Sequence, residues 1–352
     1  MKNLIKAVCF LGIALFLFVA AGYVLRPSYD QRKETYAGFY AEPKNSIDVV
    51  FIGSSPVYPY YAPAKMWKDC GFTSVLLSSS TQRPENVVYL VKEARKTQDP
   101  KLFVFELRMF PDTFEYMDSE EGQYYNRSTV DEMKYSFNRS SLIHNNYSDP
   151  QIYDHIDLIR YHSNWKEFRP DALRFWDFES PDPYKGFVFN GNIDVLENTT
   201  PVGNIDTAPI PDYRQEQLRE LAQYCKQEGI TALFILSPYP IDEEKKEQFN
   251  TMGQIVEEYG FDFLDLNEHY EEIGIDFNTD FYNIGHVNIH GAMKTTAYLE
   301  EYIMQNYSVV SPKEKAIADA WDADADIWQK KCDETMATWQ GLYDAMYGGV
   351  QE

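Results

Sequence analysis

Cysteine is scarce in this chain, and the few cysteines lie far apart. The four are Cys9, Cys70, Cys225 and Cys332, and no two of them form a CxxC pair. Because Cys9 falls in an apolar N-terminal stretch, the other three indicate neither a disulfide framework nor a zinc knuckle. The six histidines show no HExxH or similar spacing. The sequence therefore predicts free thiols and indicates no metal and no organic cofactor.

Basic residues are also in short supply. The 352 residues include 32 Lys and Arg against 55 Asp and Glu, a formal net charge of -23. Since phosphate contacts need clustered Lys and Arg, this charge argues against nucleic acid as a partner. The length allows one large domain or two small ones with an ample core.

Only one long apolar run stands out. Lys2 and Lys6 precede residues 7–25, which carry no charge, and Arg26 closes the run. This length favours a transmembrane anchor over residues 1–28, with the lysines cytoplasmic and the rest of the chain outside the cell membrane. The alternative is a cleaved signal peptide and a secreted protein, because residues 19–21 (VAA) resemble a small-residue cleavage site.

The next 280 residues alternate between short apolar runs and longer amphipathic segments. This alternation predicts a doubly wound, parallel five-stranded sheet flanked by helices, in an α/β domain over residues 29–310. Strands are expected near 47–53, 73–78, 101–107, 231–237 and 261–266. Helices are expected near 61–69, 84–97, 212–228, 242–259 and 288–305.

A long insertion separates the third and fourth predicted strands. Residues 108–210 are rich in aromatics, Asn and Asp and lack clean periodicity. Interruptions of this length are typical of functional lids or substrate-binding insertions. The alternative is a small helical subdomain that only covers one face of the sheet.

The C-terminal region, 311–352, predicts one amphipathic helix. Spacings that alternate between four and three join Trp321, Ala325, Trp328, Cys332, Thr335, Trp339, Leu342 and Met346. Such a seam docks back on its own domain or associates with a second copy, and the pattern alone leaves both open.

Residues 48–55 (DVVFIGSS) place Ser54 and Ser55 where a buried strand ends. Open α/β sheets position nucleophiles at this edge. An uncharged serine needs a base within hydrogen-bond reach, and His286 is the best candidate, because it precedes the last helix of the domain at the same edge.

These motifs resemble the SGNH/GDSL hydrolase superfamily. The similar residues are the DVVFIGSS block, Gln82, Tyr161 and His162 with Trp165, and His286, Val287 and Asn288 with Gly291 and Ala292. The resemblance covers roughly residues 45–107 and 211–306. Within the superfamily, the chain is similar to the membrane-anchored bacterial branch, including the D-alanyl transfer protein of lipoteichoic acid synthesis and alginate-type O-acetylation proteins.

The resemblance implies a flavodoxin-like fold and a set of catalytic residues. It implies Ser55 as the nucleophile, with Ser54 where the family has Asp. His286 matches the family base, but Asn283 occupies the position of the usual aspartate, three residues before the histidine. Asp280 is a possible substitute for that carboxylate, and a dyad oriented by a backbone carbonyl is the other alternative.

The resemblance also implies weaker assignments around the site. For an oxyanion hole it indicates the backbone of Ser55 and Ser78, with Arg108 as a source of positive charge. The family's third-block asparagine has no match in residues 106–108, and Arg108 has Glu106 and Asp112 as alternative pairing partners. For substrate binding it indicates Gln82, Tyr161, His162 and Trp165.

The expected function is that of an anchored, extracytoplasmic serine esterase or O-acyltransferase. The resemblance implies an acylated cell-envelope polysaccharide or teichoic acid as substrate and a membrane-bound O-acyltransferase as partner. The alternative is a catalytically impaired envelope scaffold or binding protein with the same fold, which Asn283 and Ser78 favour.

Overall fold

The structure is a computed structural model of the full chain. It describes residues 1–27, 32–111, 120–146, 150–167 and 180–348. Asp112 and parts of the insertion lie outside the described residues.

Five parallel strands form the central sheet. They are β1 (Val49–Gly53), β2 (Ser74–Ser78), β3 (Leu102–Glu106), β4 (Ala232–Leu236) and β5 (Asp262–Asp265), in the spatial order β2-β1-β3-β4-β5. A two-stranded antiparallel hairpin follows, formed by β6 (Phe281–Asn283) and β7 (His286–Val287). The five-strand order is one of the two common orders of doubly wound α/β sheets.

Helices surround the sheet and extend from it. They are α1 (Lys2–Leu25), α2 (Arg32–Ala41), α3 (Val57–Tyr60), α4 (Pro63–Cys70), α5 (Val87–Ala94), α6 (Glu120–Glu132), α7 (Phe137–Asn146), α8 (Ile152–His155), α9 (Asp157–Tyr161), α10 (Asp212–Gln227), α11 (Glu243–Glu258), α12 (Tyr270–Ile273), α13 (Ile289–Asn306) and α14 (Lys315–Tyr347). Short 3-10 turns occupy Pro84–Asn86, His162–Glu167 and Leu266–Glu268.

Alternate residues of each strand enter two different cores. Val49 and Phe51 of β1 pack into a core with α13 and α14, whereas Val50 and Ile52 pack into a core with α5, α10 and α11. Because the sheet is covered on both faces, its strands read as continuous apolar runs rather than alternating ones. This explains why the sequence predicts all five strands to within about two residues.

Part of the insertion forms a helical lobe, which comprises α6 to α9 and the turn His162–Glu167. The lobe contacts the sheet domain through several polar pairs. Among them, Ser79 Oγ lies 3.0 Å from Thr129 Oγ1, Asn86 donates to Asn126 over 3.1 Å, and Asn138 donates to Glu93 over 2.9 Å. It also contacts the C-terminal end of α1, where Arg26 forms an ion pair with Asp157.

The tail folds as one long helix, as the sequence predicts. Six seam residues of α14 are buried, from Trp321 to Trp339, and they pack against the sheet domain. The last two seam residues, Leu342 and Met346, are exposed. Of the two alternatives for this helix, the structure therefore has the one in which it docks on its own domain.

Candidate functional site

The direction of chain connection reverses between β1 and β3, which are neighbours in the sheet although β2 comes between them in sequence. Ligands of open α/β sheets bind at such switch points, outside the carboxyl ends of the strands. Ser54 and Ser55 follow β1 at this edge, and Arg108 follows β3. These residues and the hairpin loop described below define the candidate crevice.

Gly53 lets the end of β1 lie close to β3 and α3. A Cβ atom at this position would lie 2.7 Å from both Glu106 Cβ and Val57 Cγ2, so no larger residue fits without displacement. The next residue, Ser54, is buried, and its Oγ accepts a hydrogen bond from the Gln82 N–H over 3.2 Å. The Ser55 side chain is partly exposed at the edge of the sheet. Of the two serines, Ser54 is therefore structural and Ser55 faces the accessible side.

The loop between Thr279 and Asn288 brings the histidine to the same edge. Asn288 caps α13, because its Oδ1 accepts from His290 N (3.0 Å) and Gly291 N (3.2 Å). The Asn288 Nδ2 group donates to the carbonyl of Thr279 over 2.7 Å. One side chain thus closes both ends of the loop, and Gly291 allows the close approach, since a Cβ there would lie 2.5 Å from the Asp280 carbonyl.

His286 is oriented by Asn283. The His286 Nδ1 and Asn283 Oδ1 atoms are 2.8 Å apart, and the Gly285 N–H donates to the same oxygen over 3.0 Å. A backbone N–H can only donate, so it fixes the oxygen of the Asn283 amide on this side. His286 must therefore carry its proton on Nδ1, which leaves Nε2 with the free lone pair that a general base needs.

The surroundings keep the imidazole neutral. Burial, with the positive charge of Arg108 as a second cause, lowers the pKa of His286 to about 3. The ring lies nearly parallel to those of Tyr58 and Tyr282, with centroids 6.4 and 5.5 Å away. Nε2 is buried and has no hydrogen-bond partner among the described residues. A deprotonated, unoccupied nitrogen thus lies among aromatic rings at the crevice.

Arg108 links the strand ends to the histidine loop. Its guanidinium donates to the carbonyl of Gly285, and Nη2 lies 3.3 Å from Tyr60 Oη and 3.4 Å from the Ser237 carbonyl. The guanidinium carbon lies 3.7 Å from the centre of the Tyr239 ring. Within the described part of the chain, the guanidinium forms no ion pair, and Nε has no hydrogen-bond partner.

Glu106 contacts the backbone of Arg108 rather than its charged group. The Glu106 carboxylate accepts from the Arg108 N–H and the Ser237 N–H, each over 3.2 Å. Burial raises the pKa of Glu106 above its ordinary value. Of the two alternatives for Arg108, pairing with Glu106 is not seen, and Asp112 lies outside the described residues.

Ser55 and His286 belong to adjacent segments but are not hydrogen-bonded to each other. Tyr58, three residues after Ser55, carries the ring that runs parallel to His286. No hydrogen bond of the Ser55 side chain is found among the described residues. The catalytic contact predicted from the sequence is therefore not formed in this structure, and such contacts often tighten only when the substrate is bound.

Asp280 has other partners than His286. Its carboxylate contacts His290 Nδ1 at 2.6 Å and Lys294 Nζ at 2.7 Å. Burial alone would raise the pKa of Asp280, but the hydrogen bonds from His290, from the Asp276 N–H and from Lys294 outweigh burial and hold it below the ordinary value. Of the two orienting residues considered from the sequence, Asn283 contacts His286 and Asp280 holds the start of α13.

Ser78 and Gln82 lie beside the serine turn. Ser78 ends β2 and pairs in register with Gly53, which brings its backbone next to Ser54. The Gln82 side chain is buried, and its Oε1 accepts from Ser79 Oγ over 3.2 Å. The Gln82 Nε2 group has no hydrogen-bond partner in the described ranges. These two residues are brought to the crevice edge.

The other sequence candidates lie in the lobe. Tyr161 is buried there and donates to Asp131 Oδ2, while Arg127 Nε donates to the Tyr161 hydroxyl over 3.2 Å. His162 contacts the carbonyl of Ile159, and Trp165 is 65% exposed. The structure does not bring these three residues into contact with Ser55 or His286.

Several crevice residues are absent from the sequence-based candidates. One is the buried Glu106. The others are the four tyrosines that surround His286 and Arg108, namely Tyr58, Tyr60, Tyr239 and Tyr282. Two of these tyrosines could have been found from the sequence, since residues 58–61 (YPYY) follow shortly after the two serines. Tyr239 could not be found this way, because its position depends on the pairing of β4 with β3.

Among the residues that the structure describes, no group of three or more His, Cys, Asp and Glu side chains is arranged to hold a metal ion. No family model matches the chain, and no curated protein is significantly similar to it in sequence.

Proposed function

We propose that this protein is an SGNH-type serine esterase or O-acyltransferase that works through a covalent acyl-enzyme. The observation that carries the proposal is the hydrogen bond between His286 Nδ1 and Asn283 Oδ1. It leaves Nε2 as a neutral, unoccupied base at the sheet edge where Ser55 emerges. Nucleophile, base and orienting group are the three parts of such a site.

In the proposed reaction, Ser55 Oγ attacks the carbonyl carbon of an acyl ester. His286 Nε2 takes the hydroxyl proton as the bond forms and gives it to the departing alcohol oxygen, which leaves the acyl group on Ser55. Water or a sugar hydroxyl then attacks the acyl-enzyme, and His286 passes the second proton back to Ser55. Transfer rather than hydrolysis requires the site to favour the sugar hydroxyl over water.

The negative oxygen of the intermediate needs donors that are already in position. The backbone N–H groups near Ser55 and Ser78 are the candidates, with the positive charge of Arg108 nearby. Such preorganised donors often supply the largest single contribution to catalysis. Arg108 suits this role because its guanidinium carries charge into the crevice without a paired carboxylate among the described residues.

The proposed substrate is an acylated cell-envelope polysaccharide or teichoic acid. The tyrosine rings of the crevice support it, because aromatic faces suit sugar rings. The proposed partner is a membrane-bound O-acyltransferase, and the proposed location is the outer face of the cell membrane. The support for this location is α1, which is long and apolar enough to span a membrane or to serve as a signal sequence.

A second candidate is a non-catalytic envelope scaffold with the same fold. Two observations favour it. Asn283 supplies no negative charge to stabilise an imidazolium, and the pKa of His286 is lowered to about 3, so proton uptake by the base is costly. The scaffold and the enzyme differ in whether Ser55 is a reactive nucleophile.

A fluorophosphonate probe on the full chain in detergent separates the two candidates. The enzyme predicts covalent labelling that Ser55→Ala abolishes and His286→Ala weakens. The matched control is Ser54→Ala, which removes a buried neighbouring hydroxyl and should retain labelling. Labelling that persists in Ser55→Ala refutes the assignment of the nucleophile, and a folded wild-type protein that takes no label supports the scaffold.

A further inference from the structure

The last turns of α1 are part of the folded lobe rather than a free tether. Gly22 is buried, and a Cβ atom there would lie 3.2 Å from the Leu158 N atom of α9. The Asn164 side chain donates to the carbonyl of Leu25 over 3.0 Å. Tyr23 meets Tyr135 edge to face, with ring centroids 5.7 Å apart. The lobe therefore packs against α1 from about residue 19 onward.

A buried charge cluster fixes this contact. Asp157 accepts from Arg26 Nε over 2.6 Å and from Arg139 Nη2 over 2.7 Å. Arg127 lies next to the same carboxylate and pairs with Asp131. Buried carboxylates are retained when they are paired and hydrogen-bonded, as here. The position of α1 relative to the lobe is therefore set by specific contacts.

The exposed part of α1, which precedes the part packed against the lobe, is shorter than a bilayer core is thick. Its uncharged run covers residues 7–25, about 28 Å at 1.5 Å per residue, close to the roughly 30 Å of a bilayer core. Of this run, residues 7–18 are exposed and span only about 18 Å. If Lys6 reaches the inner headgroups, residues 19–25 lie in the outer part of the bilayer. The lobe residues around them must then lie at the same depth.

The lobe surface has the side chains that this depth requires. Large apolar groups are exposed on the elements that contact α1 and on α8 beside them: Ile152, Tyr153, Ile159 and Trp165. Trp and Tyr are enriched at membrane interfaces, where one end of the ring is apolar and the other is wet. Their exposure next to an apolar helix is otherwise unfavourable in water.

We infer that the lobe is partly immersed in the outer leaflet of the bilayer that α1 crosses, at the level of the headgroups and the adjoining acyl chains, with Ile159 and Trp165 in contact with lipid. This inference rests on the proposed anchoring by α1 but not on the proposed chemistry. It turns α1 into a rigid support, which holds the crevice at a fixed height through the Ser79–Thr129 contact.

The test uses the full chain in liposomes. Cys9→Ala and Cys70→Ala remove the accessible thiols, while Cys225 and Cys332 are buried. A single cysteine is then introduced by Trp165→Cys or Ile159→Cys and labelled with an environment-sensitive fluorophore. The matched control is Ile205→Cys, which is exposed on the sheet domain, where its neighbour Asn204 bonds to Asn250 of α11.

Lipids with a headgroup spin label should quench the fluorophore at positions 159 and 165 several-fold more than at 205. Equal quenching at all three positions overturns the inference. An N-terminus at residue 22 or later in protein purified from membranes also overturns it, since no helix would then cross the bilayer. Fluorophosphonate labelling is scored separately, so the failure of one proposal is not mistaken for the failure of the other.

Discussion

At the scale of single residues, Asn283 determines the tautomer of His286. It gives His286 the correct tautomer but no compensating charge. In serine proteases, the same change from aspartate to asparagine lowers kcat by about 10⁴ because it leaves the histidine in the wrong tautomer, whereas Asn283 accepts from His286 Nδ1 and fixes the right one. An orienting aspartate supplies both the geometry and a negative charge, whereas Asn283 supplies only the geometry.

Asn283→Asp should restore the charge at the same spacing. A carboxylate beside the imidazole favours its protonated form, so the pKa of His286 should rise from about 3 toward its ordinary value of 6.5. Wild-type fluorophosphonate labelling should not depend on His286 ionisation between about pH 5 and 8, since the base is neutral throughout. In the variant, an acid limb should enter this range, and because the histidine becomes a stronger base, labelling at pH 8 should rise by about tenfold or more.

Asn283→Ala is the control for geometry, because it removes the hydrogen bond without adding charge. It should slow labelling and leave the pH profile flat. If the aspartate variant labels no faster than wild type and its profile stays flat, His286 is not the base that activates the serine.

Single residues also show how much of the site could be predicted from the sequence. The resemblance places Asn283 at the position of the residue that orients the histidine, and in the structure Asn283 contacts His286 across the hairpin. The partner of Asp280 was not predictable in the same way, because His290 and Lys294 approach it from the first turns of α13. Whether Asp280 faces back to His286 or forward to His290 depends on backbone angles that the sequence does not specify.

At the scale of elements, α14 stabilises the loop that carries the histidine. Trp339 Nε1 donates to the carbonyl of Thr279 over 2.9 Å, and its ring stacks on His290 with centroids 4.1 Å apart. Thr279 is also held by Asn288, the cap of α13. Thus α14 stabilises the start of the loop that carries His286.

Trp339→Ala should loosen this support. The side chain is only 6% exposed, so its loss should lower the free energy of unfolding by about 3 kcal/mol. Fluorophosphonate labelling of the folded variant should also slow, because the loop that orients His286 loses its outer contact. Chemical denaturation and labelling rates measure the two effects.

The control is Tyr343→Ala, one turn further along α14. Tyr343 stacks on Trp339 but is 36% exposed, so it should cost less than about 1 kcal/mol and leave labelling unchanged. Equal effects of the two substitutions would show that the buried tryptophan does not support the loop.

The type of each element could be predicted from the sequence where burial imposes a regular spacing of apolar residues. The five strands and the helices α4, α10, α11, α13 and α14 occur close to the expected ranges. The hairpin of β6 and β7 was not predicted, because strands of three and two residues are too short to show alternation. For the insertion, the sequence predicts a helical subdomain only as one of two alternatives and locates none of its helices, because their buried face is largely polar, with Arg139 and Asp131 inside it.

At the scale of the whole molecule, two different kinds of interior hold the protein together. The sheet domain has two apolar cores, whereas the lobe has a small apolar cluster and the buried charge cluster around Asp157. Hydrophobic alternation therefore predicts the α/β class and the insertion point of the lobe. It does not predict that α1 joins the lobe, since ion pairing has no periodic signature.

Asp157→Asn should destabilise the lobe strongly. Removing one partner of a buried ionic cluster typically costs about 3–5 kcal/mol, because the remaining charges are left uncompensated. The control is Asp319→Asn, which breaks an exposed pair with Lys315 and should cost less than about 0.5 kcal/mol. Thermal unfolding of the full chain in detergent measures both variants.

The same variant has a defined pH dependence. Burial alone would raise the pKa of Asp157, but Arg26 and Arg139 outweigh it and lower the pKa below 3.8. The stabilisation is therefore present above pH 3.8 and is lost as the pH falls through the lowered value. The gap between wild type and variant should narrow under acidic conditions, and a gap that stays constant would contradict the ion-pair account.

The contact between Arg26 and Asp157 joins positions 131 residues apart in the chain. At ordinary rates of synthesis, the ribosome makes Asp157 roughly 10 s after Arg26. During that interval the charge cluster of the lobe is incomplete, because Asp157, the carboxylate that joins Arg26 to Arg139, is missing. The contact between α1 and the lobe therefore cannot form until Asp157 has been made, and the earliest-made segment must remain in place until then, before β4, β5 and α13 of the sheet domain exist.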